Sequence, residues 1–504
     1  MNLSILIVIP LLTAVGVLAA PKPGQVKVVS LLGALAQLGY SFYLLTRYLA
    51  VRASGNTDQM LFQDRHTWFH VPGFLNIDYY VGVDGISISM ILLTAVVVFA
   101  GMLISWNVEK MVKEFFFLLV LLSIGAYGFF ISLDLFAMFF FLEVAVIPKF
   151  LLIGIWGSGK KEYSATKLAL MLMGGSALVL IGMLALYYAT NAGATGHTFD
   201  LMQIAHMNIP VDAQYFIFPF LFVGFGVFTA MFPFHTWAPD GHSSAPTAAS
   251  MFLAGISMKL GGYGCLRVAA YLLPEAAHYY SGYIILLSTI AIIYGAFATL
   301  MQKDLKYINA YSSVSHCGFV IFGIGMLTRT SINGAVLQMV SHGLMTALFF
   351  GAIGMVYERT HTRMVAQLGG LLKTIPFIMT VFMIAGLCSL GLPGLSGFVA
   401  EMTVFSGAWQ NPDTFSRTAT VLACASIVVT AVYTLRAVGA TAMGPIKNKH
   451  FFEFGDAGWN EKLASVVLLA SILVIGIAPF WINGLISPDT AHIMENVARG
   501  AIAK

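Results

Sequence analysis

FFFLEVAVIPKFLLIGIW, residues 139–156, decides how this chain is read. Its length and apolarity suit a helix that crosses a bilayer, which takes about 20 such residues. Yet Glu143 and Lys149 stand inside it. A charge at mid-membrane costs at least ~3 kcal/mol on insertion scales, so such a group pairs, changes its protonation or touches water. The segment must therefore be read for chemistry as well as for topology.

The rest of the chain supports a membrane reading. Of 504 residues, 59% are hydrophobic and 10% charged, against roughly a quarter charged in soluble domains. The fold class expected is an all-α polytopic membrane protein. About fourteen apolar runs are long enough to cross a bilayer. They lie near 2–20, 27–48, 82–105, 115–132, 134–156, 165–189, 215–236, 247–272, 282–301, 308–328, 333–356, 374–408, 417–443 and 462–486. The start, MNLSILIVIPLLTAVGVLAA, lacks the basic region of a signal peptide and is read as an uncleaved first span. A net charge of +4 is small for this length and does not point to nucleic acid. Cys265, Cys317, Cys388 and Cys424 fall in apolar runs without ligand spacing, so they are expected as small buried hydrophobes.

Two spans should be broken. The seventh ends in FPFHTWAPDGHSSAP, and the twelfth contains GLPGLSG at 391–397. Broken helices in corresponding halves suggest inverted repeats, here of five helices each. The domain reading is 1–114 for three N-terminal helices, 115–272 for the first repeat, 282–443 for the second, and 462–504 for the last helix and tail. The loops alternate in charge. Lys22, Lys27, Lys110, Lys113, Lys160, Lys161, Lys167, Lys303, Lys306, Arg359, Arg363, Lys373, Lys447, Lys449 and Lys462 fall on one side. Arg47, Arg52, Arg65, Arg329, Arg417, Arg499 and Lys504 fall on the other. The richer side is expected to be cytoplasmic, which puts both termini on the opposite, periplasmic face of a bacterial membrane.

Four more ionisable residues sit inside spans. Lys259 lies in the eighth, His316 in the tenth, His342 in the eleventh, and Glu401 beyond the break in the twelfth. Histidine takes and gives protons near neutral pH. An acid, a lysine, two histidines and an acid at similar depth form the kind of row that proton transfer across a membrane needs. Metal binding by the two histidines and two acids is disfavoured, because no pair has helical ligand spacing. No nucleotide loop, haem site or iron–sulfur cysteine cluster is apparent, so the chain should carry no cofactor of its own.

FFFLEVAVIP, FPFHTWAPDGHSSAPTAAS, LAGISMKLGGYGCLR, QKDLKYINAYSSVSHCGF, VSHGLMTALFFGAIGMVYERTHTR and SLGLPGLSGFVAE resemble the antiporter-like membrane subunits of respiratory complex I. The resemblance implies fourteen helices, inverted five-helix repeats and a proton path coupled to quinone reduction in other subunits. It implies partners in a membrane arm, in the bacterial inner membrane, with FMN, iron–sulfur clusters and quinone held by those partners. It makes Glu143 the acid of the fifth span, Lys259 the central lysine, His316 and His342 the connecting histidines, and Glu401 the exit-side acid. One departure stands out. The family places a lysine seven residues before the histidine of FPFHTW, and here Phe228 occupies that position. Lys149 is the candidate substitute. It is six residues from Glu143, about 120° round an ideal helix and about 9 Å along it. The alternative is that Lys149 snorkels to an interface. A subunit of an Mrp-type sodium/proton antiporter or of a membrane-bound hydrogenase is the competing function, and a scaffold that has lost pumping is a third.

Overall fold

In the computed structural model the chain is described over residues 1–71, 75–190 and 196–502, without the side chains of 75 and 499–502. Lys504 and the Arg499 side chain lie outside the described residues. The helices are α1 Ile5–Ala19, α2 Pro23–Ala53, α3 Gly85–Ile104, α4 Val112–Ile131, α5 Leu135–Trp156, α6 Lys161–Ala189 and α7 Leu201–His206. They continue as α8 Val211–Phe228, α9 Trp237–Ser244, α10 Thr247–Phe252, α11 Met258–Gly264, α12 Pro274–Met301 and α13 Leu305–Gly325. The last are α14 Arg329–Thr360, α15 Pro376–Ser389, α16 Ser396–Trp409, α17 Thr414–Ala442, α18 Trp459–Ile477 and α19 Phe480–Ile502.

Among the described residues, 10 helices are long and apolar enough to cross a membrane, and α1 and α15 are shorter apolar helices. The chain is a multi-pass membrane protein. Burial sorts its helices. The apolar windows of α3 and α14 are 100% buried, so the bundle is built round them. The window of α2 is 28% buried, which leaves most of that helix facing outward. Asp84, Asp134 and Asp304 cap α3, α5 and α13 by accepting from first-turn backbone N–H groups, which otherwise have no helical partner.

Both expected breaks are present. After α8 the chain leaves helical geometry until α9. Met231 N–H donates to Gly226 O at 2.9 Å, and Trp237 Nε1–H to Val227 O at 2.9 Å. Between α15 and α16, Leu392 N–H donates to Leu387 O at 3.1 Å. The protein itself thus satisfies backbone groups freed inside the membrane.

Three features differ from the sequence reading. The segment between the apolar runs 27–48 and 82–105 contains an antiparallel hairpin, β1 Leu61–Val71 with β2 Leu75–Val83. Arg65 anchors it through Asp78 at 2.6 Å and Asp200 at 2.7 Å. The eighth span is one helical run with two wide π turns, Leu253–Ser257 and Cys265–Ala270, on either side of α11. The last span stops at Ile477, ahead of Pro479, and a separate α19 follows.

Candidate functional site

Lys259 sits in α11, between the two π turns, and is 2% exposed. Its ammonium donates to Ala254 O in the preceding π turn. It also lies 2.7 Å from His342 Nδ1 on α14. Two glycines make that approach possible. A Cβ on Gly343 would stand 2.7 Å from Gly255 O, and one on Gly255 3.3 Å from Gly343 O. Side chains at either position would push α14 off the π turn and part His342 from Lys259.

From His342 the row continues. The His342 and His316 rings have centroids 5.5 Å apart. His316 Nδ1 lies 3.4 Å from Glu401 Oε1 and 3.3 Å from Gln338 Nε2, while His316 Nε2 lies 3.0 Å from Ser389 Oγ. The ring's tautomer decides its bonding. A protonated Nδ1 donates to Glu401, and a bare one accepts from Gln338. Gly391 in the second break gives Glu401 its room. It has φ +75, and a Cβ there would stand 2.6 Å from Glu401 Oε2.

Lys259, His342, His316 and Glu401 are therefore brought together from separate helical segments. Glu143 is not part of this row. It is half-buried on α5, near the same outward stripe as the exposed Phe140 and Ile147, and its Oε1 has no hydrogen-bond partner. Lys149 does not snorkel. It is 1% exposed, and its Nζ makes no hydrogen bond. That Nζ stands 5.8 Å from the centre of the Phe228 ring, within electrostatic reach of Glu143.

Other site residues were not singled out from the sequence. Lys306, expected as a loop charge, is 4% exposed in the first turn of α13, and its Nζ donates to Ala245 O at 2.6 Å. The signal was available: Lys306, Asn309, Ser313 and His316 recur at helical spacing along one face. His242, fully buried in α9, stacks on Phe350 at 5.1 Å and lies within electrostatic reach of both Lys259 and Lys306. Cys317 touches the row, with Sγ 3.9 Å from His342 Nδ1. On the lysine-rich side an open cleft of ≈ 570 Å³ is lined by Lys160, Tyr163, Asp240, Ser243, Tyr307 and Arg363. Lys167 closes on Asp240 at 2.7 Å beside it. Among the described residues no group of three or more His, Cys, Asp or Glu side chains could hold a metal.

Residues 132–430 match the family described as "NADH:quinone oxidoreductase/Mrp antiporter, TM". Among curated proteins, the NAD(P)H-quinone oxidoreductase chain 4 1 of a Synechococcus species is 36% identical over 95% of this chain and 89% of its own. NADH-quinone oxidoreductase subunit M of Rickettsia conorii is 34% identical over 98% of both chains. A chain of respiratory complex I from Thermus thermophilus superposes with a TM-score of 0.86 at 23% identity, covering 98% of this chain and 99% of that one. A chain of the Mrp complex from Dietzia does so with a TM-score of 0.82 at 18% identity, covering 98% of both. Identities that low speak to the fold alone. The family match and the curated relatives show more: this chain belongs to the NADH:quinone oxidoreductase/Mrp antiporter family of membrane proteins.

Proposed function

We propose that this chain is a proton-translocating membrane-arm subunit of a respiratory NADH:quinone oxidoreductase, the counterpart of subunit M in its relatives. It belongs to an enzyme complex but performs no redox chemistry itself. FMN, iron–sulfur clusters and quinone belong to partner subunits on this reading. The complex sits in a bacterial inner membrane with both termini of this chain in the periplasm. We read the chain as three N-terminal helices, two inverted five-helix repeats and a C-terminal segment.

One observation carries the reading: the buried run from Lys259 through His342 and His316 to Glu401. Burying ionisable groups in a membrane is expensive, and a structural role would need only paired charges. Here a lysine faces a histidine, and the next histidine can face either an acid or an amide. Protons enter at the lysine-rich cleft and reach Lys259 past Lys306 and His242. From Lys259 the proton passes to His342 Nδ1, crosses to His316, and leaves His316 Nδ1 for Glu401. Glu143 lies at the edge of the outward face of α5, where a neighbouring subunit can change its surroundings. Lys149, packed on Phe228, supplies the positive charge beside it and transmits that change inward.

Assembled complex in sealed vesicles tests this. Lys259→Met and Glu401→Gln should each cut protons pumped per quinone reduced, with the complex still assembled. Pumping at the parental ratio in both variants would overturn the reading.

A further inference from the structure

A second buried ionic cluster lies off the row, at the start of α3. Asp84 is 0% exposed, Arg267 1% and Asp489 2%. Arg267 pairs with Asp84 Oδ2. Asp489 comes from α19, where its Oδ2 accepts from Gly85 N–H at 2.6 Å and stands 3.4 Å from the Tyr48 hydroxyl. Its Oδ1 stands 3.7 Å from Arg52, whose side chain is 22% exposed. The cluster thus runs from the protein interior to the arginine-bearing face. It is not saturated. Arg267 Nε and Nη1 and Asp489 Oδ1 have no hydrogen-bond partner. Buried polar atoms that lack one cost free energy unless water or a proton completes them. Asp489 lies beyond the last span, and burial, followed by the charge of Asp84, holds its carboxyl above the ordinary range.

The same cluster reaches the helix that carries Lys259. Tyr263 lies one turn after Lys259 in α11, hence on the same face. Its hydroxyl is 2.9 Å from Ser87 Oγ. The Ser87 N–H in turn donates to Asp84 Oδ1 at 2.8 Å. Arg267 packs over the Tyr263 ring, 5.5 Å from its centre. Neither hydroxyl is needed by the row through His342.

We propose that the Asp84–Asp489 carboxylate pair is a proton-holding site on a side branch from Lys259, reached through the Tyr263 and Ser87 hydroxyls and opening beside Arg52. The proposal rests on Lys259 being the central carrier. A proton leaves the Lys259 ammonium through a bridging water, and Tyr263 takes it while handing its own to Ser87 Oγ. Ser87 hands its proton, again through water, to the carboxylate pair. One N–H bond is broken and one carboxyl O–H bond formed, with both hydroxyls left as they began.

Infrared difference spectra of the assembled complex in liposomes, triggered by NADH and quinone, read carboxyl protonation directly. Asp489→Asn keeps the acceptor for Gly85 N–H, and Tyr263→Phe keeps the ring packing. A protonated-carboxyl band should be lost in Asp489→Asn, persist in Glu401→Gln, and form at least tenfold more slowly in Tyr263→Phe. A band unchanged in Asp489→Asn, or a parental rate in Tyr263→Phe, overturns the branch. Lys259→Met separates the two readings. If it stops pumping while the Asp489 and Tyr263 variants are inert, only the branch falls. If it pumps normally, the relay reading falls first.

Discussion

Lys149 and Phe228 offer a test by exchange. The Lys149 amine and the Phe228 ring meet at 5.8 Å, a distance a lysine side chain can span. A lysine grown from position 228 would therefore place its ammonium in nearly the same space. Six residues of helix separate Lys149 from Glu143, about 9 Å along the axis. At an effective dielectric constant of about 20, unit charges at that distance interact by about 1.8 kcal/mol. At 1.36 kcal/mol per tenfold, this is about twentyfold in any step that depends on the attraction. Lys149→Met should therefore lower quinone-coupled pumping by about that factor. It should not impair assembly, because burying an ammonium that makes no hydrogen bond is itself costly. Phe228→Lys alone crowds two ammonium groups together and should also pump poorly. The double variant Lys149→Met with Phe228→Lys should recover to within about threefold of the parent. The assay is proton uptake by an acidification-sensitive dye in vesicles holding the complex, normalised to NADH oxidation. Parental pumping in Lys149→Met, or an assembled double variant that stays inactive, would refute the reasoning.

Two further outcomes follow from the geometry. Gly391→Ala puts a Cβ 2.6 Å from Glu401 Oε2 on backbone at φ +75, a conformation that costs an L-residue roughly 1–2 kcal/mol. It should reduce pumping more than quinone reduction, measured in the same vesicles. Asp489 gives a pH dependence whose sign is fixed. Its folded-state carboxyl is held above the usual value, foremost by burial and then by Asp84, with Gly85 N–H, Arg267 and Arg52 opposing. The folded state then binds the proton more tightly than the unfolded chain. Stability is full below the ordinary carboxylate range and falls as pH rises to the raised value, by at most about 1.4 kcal/mol per pH unit. Thermal unfolding across that window should show the loss in the parent and flatten in Asp489→Asn.

The spans were readable because a bilayer demands long apolar runs, and the breaks because proline and glycine cluster there, with Pro233 and Pro393 falling between helices. The ionisable residues announced themselves by their cost. Other features left no such trace. Lys306 is adjacent to a loop in sequence and buried in space, so a charge count placed it with solvent-facing lysines. The hairpin of Leu61–Val71 with Leu75–Val83 is held in place by Arg65, whose partners Asp78 and Asp200 lie far apart along the chain. The branch through Tyr263 needs α3 and α19 to meet at Gly85, where a Cβ would sit 1.8 Å from Leu485 O. No local pattern encodes that meeting. The direction of Lys149 was likewise open, because a lysine in a span turns inward or outward according to what its neighbours leave free.

The wide turns on either side of Lys259 have a consequence for evolution as well as for motion. Each holds more residues than ordinary helical pitch allows, so shedding one residue there shortens the helix without a break. Such a deletion in Leu253–Ser257 would leave ordinary α-helix there and remove the widened turn whose Ala254 carbonyl accepts from Lys259. The lysine's carbonyl acceptor is therefore supplied by a turn with a surplus residue, and one-residue deletions in this stretch should be far less tolerated than substitutions.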